Sequence, residues 1–299
     1  MKIAVIRFSA LGDIASIRPI VNSMKFKPTL ITSIVGYEYY KDEFDDFIIL
    51  ENKKILTVFK LIMKLRKRKF DVIFDFQCND RSRLITKFSN SEVFDNKDLD
   101  VPSMTNFEIF YAIANRKGLL NNIDEQNSFK KKFDNYIVLN CGSSIQWQSK
   151  RLPEDKWLEI IEILSVKYDM PFYFVGDSSE VKYLESIAKK INYEYTVLAG
   201  KTSLTQLKKV LSNAYLTVTT DSAAMHISAT LGRPTIGLFG ATNWKRSRPY
   251  GKWSTVTYDK NYFKDNEPLQ VNTKEVNHSM YENISIEDSL VELENFLKV

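Results

Sequence analysis

Short apolar runs alternate with longer stretches of helical periodicity along almost the whole chain. The runs are rich in Val, Ile and Phe and carry few polar interruptions, which is typical of strands buried on both faces of a parallel sheet. Strands that alternate with helices indicate βαβ units. The pattern therefore predicts an α/β fold class built from parallel sheets, as in Rossmann-like domains.

In the first half of the chain the pattern predicts helices over residues 14–24 and 55–68. The strands expected around them cover residues 3–6, 29–35, 47–50, 72–76 and 92–94. In the second half, Pro153 suits the first turn of a helix over residues 154–168, and residues 286–297 combine a cap-like start with helical spacing. The strands expected there cover residues 136–140, 172–175, 195–198, 216–219, 235–239 and 255–258.

A polar, lysine-rich stretch over residues 121–134 separates the two halves and indicates a domain boundary. We therefore predict one domain over residues 1–133, a second over residues 134–285 and a terminal helix over residues 286–299. Two open sheets in tandem leave a cleft, and such sheets bind ligands beyond the carboxyl ends of their strands.

Composition narrows the possible functions. The chain has 299 residues, 44% of them hydrophobic and 26% charged, so a folded globular protein is expected. A net charge of +5 is too weak to argue for nucleic acid. Two cysteines and two histidines disfavour a disulfide framework or a Cys- or His-based metal site. With no apolar run of membrane-spanning length and no signal-like start, the cytoplasm is the expected compartment.

A cationic cluster, Lys64-Leu65-Arg66-Lys67-Arg68-Lys69, closes the helix predicted over residues 55–68. One interpretation is a solvated helix end whose cations complement the helix dipole. The other is a patch that docks on an anionic membrane surface.

The richest motif runs from Val218 to Gly240 and is predicted to form a strand, a tight turn, a helix starting near Ser222 and a second strand. Asp221 or Ser222 can serve as the N-cap. Small side chains at Ala223 and Ala224 would leave the amides of the first turn uncovered, which suits a diphosphate. A capped structural helix with small residues for close packing is the alternative.

Two other segments follow predicted strand ends. Gly142-Ser143-Ser144 offers open backbone and hydroxyls for phosphate, and Lys150 or Arg151 would add a cation. The turn after the first strand carries Asp13 but lacks the glycine pattern of dinucleotide-binding folds. Asp13 suits either a general base or an N-cap.

Together these segments resemble glycosyltransferase family nine, the bacterial heptosyltransferases of lipopolysaccharide core assembly. The resemblance rests on Leu11-Gly12-Asp13, on the Gly-Ser segment that leads to Lys150-Arg151-Leu152-Pro153, and on residues 198–242. In that last region stand Leu-Ala-Gly-Lys-Thr-Ser-Leu, then Asp-Ser-x-x-x-His and Gly-x-Pro-Thr-x-x-Leu-Phe-Gly-x-Thr. The match covers most of the chain in order.

The resemblance implies a GT-B fold, with an acceptor domain, a donor domain and a terminal helix that packs back across. It implies an inverting reaction without a metal, with ADP-heptose as donor and a glycolipid or oligosaccharide as acceptor at the inner face of the membrane. Asp13 maps to the catalytic base, and Ser9 and Gly12 to the acceptor side. The donor-binding positions are Gly142, Ser143, Ser144, Lys150, Asp221, Ser222, Ala223, Ala224 and His226.

Two features have no settled place in this comparison. The acid that holds the donor ribose has Asp177 and Glu180 as candidates, and Asp98-Leu99-Asp100 forms a D-x-D triplet of the metal-dependent type in the other domain. Three rival functions stay open: transfer of another nucleotide-activated sugar, hydrolytic epimerisation of a nucleotide sugar, and non-catalytic binding of a nucleotide sugar.

Overall fold

The chain divides into two compact units, Met1–Asp124 and Glu125–Val299, in a computed structural model. The structure describes residues 1–123, 129–130 and 132–298. Part of the predicted boundary segment, residues 124–128 and 131, lies outside the described residues. No helix in the described ranges is long and apolar enough to cross a membrane.

The first unit is built on a five-stranded parallel sheet with the order β3-β2-β1-β4-β5. Its strands are β1 (Ile3–Arg7), β2 (Thr29–Ser33), β3 (Phe47–Leu50), β4 (Val72–Asp75) and β5 (Glu92–Phe94). Its helices are α1 (Leu11–Ser16), α2 (Arg18–Asn22), α3 (Ile34–Tyr40), α4 (Ile55–Arg68), α5 (Asp80–Lys87) and α6 (Asn106–Asn115). The predicted α4 and β3 are confirmed.

Two predicted elements of this unit differ from the structure. The helix expected over residues 14–24 is two short helices that meet at Ile17, because Pro19 has no amide hydrogen to continue the first one. The strand expected over residues 29–35 ends at Ser33, whose hydroxyl accepts a hydrogen bond from the amide of Gly36 and caps α3. Local capping therefore overrides the apolar run there.

The second unit carries a six-stranded parallel sheet with the order β11-β10-β9-β6-β7-β8. Its strands are β6 (Ile137–Asn140), β7 (Phe172–Phe174), β8 (Tyr195–Val197), β9 (Leu216–Thr220), β10 (Thr235–Phe239) and β11 (Ser254–Tyr258). Its helices are α7 (Glu154–Lys167), α8 (Val181–Ala188), α9 (Leu204–Asn213), α10 (Ala223–Thr230), α11 (Trp244–Ser247) and α12 (Glu287–Leu297).

The terminal helix α12 packs within the second unit. Leu290 and Leu293 belong to the same apolar core as the central strands, and the hydroxyl of Ser289 lies 2.6 Å from that of Thr257 on β11. Glu294 pairs with Lys167 of α7 at 2.7 Å. These contacts fix α12 against the edge of the second sheet.

Each sheet has one point at which the strand order reverses. In the first unit the chain runs outward from β1 to β3 and then returns to place β4 on the other side of β1. In the second, β7 and β8 lie on one side of β6, and β9 lies on the other. The loops that leave neighbouring strands diverge at such a reversal and open a crevice at the carboxyl ends, where ligands of these sheets bind.

Candidate functional site

The loop that follows β1 opens onto the reversal point of the first sheet. Gln77, which comes just after β4, holds this loop: its Oε1 accepts hydrogen bonds from the amides of Phe8 at 2.7 Å and Ser9 at 3.1 Å. The loop is thereby tied to both strands that border the crevice. Ser9 is exposed and Gly12 half-buried, so both line accessible surface.

Asp13 lies in the first turn of α1, at its third position. The N-cap is Ala10, and the amide of Ala10 donates to Oδ2 of Asp13 at 3.2 Å. The same oxygen forms an ion pair with Arg7. With 28% of its side chain exposed, Asp13 is anchored through one oxygen and still reachable by a ligand.

Arg7 is the last residue of β1 and fixes the position of Asp13. Its guanidinium lies 5.1 Å from the ring centre of Phe110, and Nη1 donates to the carbonyl of Phe76. These contacts hold a nearly buried cation at the carboxyl edge of the sheet. The arrangement suits a carboxylate that must stay in one orientation while it handles a proton.

The reversal point of the second sheet lies between β6 and β9, where Asn140 pairs with Thr219. The hydroxyl of Thr220 donates to the carbonyl of Gly142 at 2.6 Å and joins the loops that leave the two strands. This bond brings the predicted Gly142-Ser143-Ser144 and Asp221-Ser222 segments to one crevice.

Lys150 reaches across this crevice to Asp221. Its Nζ lies 2.8 Å from Oδ2 and 3.2 Å from the backbone carbonyl of Asp221. The ammonium also lies 5.1 Å from the ring centre of Trp147. Only 19% of the Lys150 side chain and 8% of the Asp221 side chain are exposed, so the pair is poorly screened by water. Lys150 thus contacts Asp221 across the crevice, whereas Arg151 donates to the carbonyl of Ser143.

The amino terminus of α10 borders the same crevice. Ser222 is the N-cap by backbone conformation, but within the described chain its side chain caps no first-turn amide, and its hydroxyl lies 3.0 Å from that of Thr219. The half-buried Ala223 and the buried Ala224 begin the first turn. Nε2 of the buried His226 lies 4.0 Å from Oδ1 of Asp221. Helix amides and dipole here form a place suited to an anion.

The Gly-Ser-Ser segment is shaped by its own contacts. The hydroxyl of the buried Ser143 donates to the carbonyl of Trp147 at 2.6 Å, whereas Ser144 is exposed. Arg151 donates to the carbonyl of Ser143 at 2.6 Å and lies over the ring of Tyr183. Arg151 therefore stabilises the segment that connects β6 to Lys150.

Glu180 is the better placed of the two candidate acids. A Cβ on Gly142 would lie 2.1 Å from its Oε1, and one on Gly176 would lie 2.7 Å from its Oε2, so a side chain at either position would displace this carboxylate. Burial raises the pKa of Glu180 above its usual range. Oδ1 of Asp177 instead accepts a hydrogen bond from the amide of Ser179 at 2.7 Å.

Three contacts at the two crevices could not be predicted from the sequence. Gln77 braces the Asp13 loop, and Nζ of Lys274 lies 5.2 Å from the ring of Trp147, which it shares with Lys150. Tyr281 donates to the carbonyl of Ser149 at 2.8 Å. Each contact joins residues far apart in the chain, and no local pattern signals it.

The D-x-D triplet lies in the first unit, whereas the crevice between β6 and β9 belongs to the second. Asp98 is exposed, and its Oδ2 lies 3.8 Å from Nη1 of Arg116. Among the residues that the structure describes, no three His, Cys, Asp or Glu side chains form a group suited to a metal ion.

The chain is similar to known heptosyltransferases in sequence. The family model of glycosyltransferase family 9 (heptosyltransferase) matches residues 111–274, more than half of the chain. Lipooligosaccharide heptosyltransferase 2 of Campylobacter jejuni is 25% identical over 270 residues, which cover 84% of this chain and 85% of that protein.

Solved structures agree on the fold. The family 9 glycosyltransferase of Veillonella parvula superposes with a TM-score of 0.76 at 16% identity, over 99% of this chain and 97% of that one. The ADP-heptose lipopolysaccharide heptosyltransferase II of E. coli gives 0.68 at 19% identity, over 100% and 99%. The α/β fold with two parallel sheets is therefore GT-B, as expected. The match of the family model across more than half of the sequence shows that the chain belongs to glycosyltransferase family 9, the heptosyltransferase family.

Proposed function

We propose that this glycosyltransferase moves heptose from ADP-heptose onto a hydroxyl of a lipopolysaccharide-core-type glycolipid, with inversion and without a metal ion. The observation that carries the proposal is the pair of half-buried Lys150 and buried Asp221 near the start of α10, in a chain of the heptosyltransferase family. A cation and a helix amino terminus that face one crevice suit a nucleoside diphosphate.

The donor diphosphate would bind where Lys150 now meets Asp221. A phosphate oxygen can accept from the Lys150 ammonium and from the amides that follow Ser222, at Ala223 and Ala224. As the sugar bond breaks, negative charge gathers on the leaving diphosphate, and these donors are already oriented to stabilise it. His226, beside Asp221, would add a further polar contact.

The nucleoside would lie along the neighbouring strand ends. Gly142, with the Ser143 and Ser144 loop, leaves the backbone open there. We assign the ribose hydroxyls to Glu180, since its carboxylate lies against two glycines at the ends of β6 and β7. Oε2 of Glu180 accepts from the amide of Asp177 at 2.7 Å, so Oε1 is the oxygen that we assign to the ribose.

Asp13 would act as general base. Both contacts described for its carboxylate use Oδ2, so we assign Oδ1 to the acceptor hydroxyl. The hydroxyl loses its proton to Asp13 as its oxygen attacks the anomeric carbon from the face opposite the leaving diphosphate, which inverts the configuration. Ser9 and Gly12, on the same loop, would contact the acceptor. No step needs a metal ion, because Lys150 and the helix amides supply the positive potential.

Membership of the family supports the acceptor and the location that we propose. Its relatives include a lipooligosaccharide heptosyltransferase, so we propose a lipid-linked acceptor presented at the inner face of the cytoplasmic membrane, and no nucleic acid partner. Residues 1–133 would bind the acceptor and residues 134–285 would bind the donor, with the terminal helix α12 within residues 286–299.

Calorimetry with nucleotides tests the donor assignment. ADP should bind more tightly than GDP, UDP or dTDP, and ADP-heptose should protect the protein against thermal unfolding. Ligand at ~100 times its dissociation constant stabilises by about 2.7 kcal/mol. If UDP bound and ADP did not, the heptose assignment would fail and transfer of another sugar would take its place.

A further inference from the structure

The outward side of α4 carries a stripe of large apolar side chains that the fold leaves in solvent. Ile55 is 80% exposed, Leu56 72%, Phe59 60% and Met63 51%. The opposite side of the same helix packs against the sheet. Its apolar residues are buried in the core of the first unit: Val58, Leu61, Ile62 and Leu65. The helix is thus apolar on two sides, and only one of them faces the sheet.

A cationic stripe runs directly beside the exposed apolar one. Residues four apart lie on one side of a helix, so Ile55, Phe59 and Met63 form one row, and Lys60 and Lys64 form the next. Between Asn52 and Phe70 the sequence holds eight Lys and Arg and no Asp or Glu. Across the residues that the structure describes, no acidic group lies within ion-pair distance of Lys60, Lys64 or Lys67.

A bilayer with anionic lipids matches this pair of stripes. Large apolar side chains enter the boundary between headgroups and acyl chains, while adjacent lysines meet the anionic headgroups. A nucleic acid would explain the lysines but would leave the phenylalanine, leucine and methionine in water. A second copy of the chain would place the same unpaired cations opposite one another.

We propose that the α4 surface, formed by Ile55, Leu56, Phe59 and Met63 with Lys60, Lys64 and Lys67, docks the protein on an anionic phospholipid bilayer. The adjoining α5 extends the apolar character with exposed Leu84 and Phe88. Docking through these exposed side chains does not depend on donor binding or on Asp13.

The place where α4 begins, beside the sheet of the first unit, relates the docking surface to the proposed function. α4 begins just after the carboxyl end of β3, and the Asp13 loop begins just after the carboxyl end of β1. Because these strands are parallel, Ile55 and Leu56 lie at the edge of the sheet that carries Asp13. A bilayer beneath the first turn of α4 would present a lipid-linked hydroxyl to that edge.

Vesicle flotation with the full chain tests the proposal. The probes are phosphatidylcholine vesicles with and without phosphatidylglycerol. One variant combines Lys60→Gln, Lys64→Gln and Lys67→Gln, and another combines Leu56→Ser, Phe59→Ser and Met63→Ser. The matched controls change exposed residues of the second unit: Lys209, Lys252 and Lys264 to Gln, and Val166 with Val291 to Ser.

The wild type should float with the anionic vesicles, and high salt should release it. Each cation near the surface strengthens partitioning about fivefold, so the lysine variant should partition on the order of 100-fold more weakly. The apolar variant should lose about tenfold or more. Both controls should match the wild type, and all variants should keep ADP affinity and melting temperature.

Three outcomes would overturn the proposal. The wild type does not float, or both α4 variants float as well as the wild type. In the third outcome, the wild type is a dimer and the apolar variant a monomer, but the two float equally well. Absent ADP binding with normal flotation would instead count against the proposed function.

Discussion

Single residues carry the proposed chemistry because their neighbours hold them in place. Asp13 is fixed through Oδ2 by Arg7 and by the amide of Ala10, and Lys150 is fixed by Asp221. Each pair lies beyond or at the carboxyl ends of the parallel strands of its own sheet. The residue types were evident from the sequence, since an aspartate after β1 and a lysine after a Gly-Ser segment stand in short motifs.

Replacing the Asp13 carboxylate by an amide tests the base. Asp13→Asn keeps the shape and the contact with Ala10 but cannot take a proton, so transfer should fall by ~10²–10⁴-fold. Donor affinity should change little, because Asp13 belongs to the first unit. Steady-state kinetics with calorimetry would measure both, with Asp45→Asn, an exposed carboxylate of the same unit, as the control. Near wild-type turnover at neutral pH would remove Asp13 from the mechanism.

Removing the Lys150 ammonium tests the diphosphate site. Lys150→Ala deletes a charged hydrogen-bond donor and leaves Asp221 buried without this partner, so ADP should bind roughly 10- to 100-fold more weakly. Adenosine, which has no phosphate, should lose little affinity. Lys209→Ala, at an exposed position on α9, serves as the control. Equal losses for ADP and adenosine would mean that Lys150 acts only on the fold.

At the scale of elements, periodicity and capping explain most of the fold. Continuous apolar runs predicted strands such as β3 and β10, and the apolar, helix-like stretch from Ile55 to Leu65 predicted α4. Ends were harder, since Pro19 divides one helix and Ser33 stops one strand. Gln77 and Lys274 reach their places through contacts with residues far away in the chain, each within its own unit, so no local pattern signals them. Glu180 was a candidate from the sequence, but only the fold sets its carboxylate against Gly142 and Gly176.

The turn after β10 offers an element-scale test. A Cβ on Gly240 would lie 2.4 Å from Cζ and 2.7 Å from the hydroxyl oxygen of Tyr281, a buried ring whose hydroxyl bonds Ser149, next to Lys150. Gly240→Ala should therefore cost about 1–3 kcal/mol of stability, as overpacking does. Displacing Tyr281 should also weaken ADP binding several-fold.

Denaturant unfolding and ADP calorimetry would measure the two effects. Tyr281→Phe separates them, because it removes the bond to Ser149 with no added bulk and should cost only about 1 kcal/mol. A fully stable Gly240→Ala protein with normal ADP affinity would show that the turn does not support the Lys150 segment.

At the scale of the whole molecule, each unit contributes one loop cluster at the reversal point of its sheet. The proposed reaction divides its tasks accordingly, with the proton acceptor on the first unit and the diphosphate site on the second. In the proposed reaction, positive charge for the leaving group would come from Lys150 and the α10 amides. This division predicts how the enzyme responds when divalent metals are removed.

Exhaustive chelation should leave transfer intact. The α10 amino terminus and Lys150 supply a fixed positive potential where metal-dependent transferases use a cation. Turnover would be compared before and after EDTA treatment, with magnesium and manganese added back in parallel. Complete loss in EDTA, restored by either metal, would return the Asp98 and Asp100 pair to consideration.

Acceptor-dependent release of ADP from ADP-heptose tests the central claim most directly. The assay would combine the protein, ADP-heptose and lipopolysaccharide that lacks core heptose, and would follow both ADP and the mass of the glycolipid. We expect ADP to appear only when the acceptor is present, with one heptose gained by the acceptor for each ADP released. ADP release without acceptor, or turnover of a UDP-sugar in place of ADP-heptose, would contradict the account.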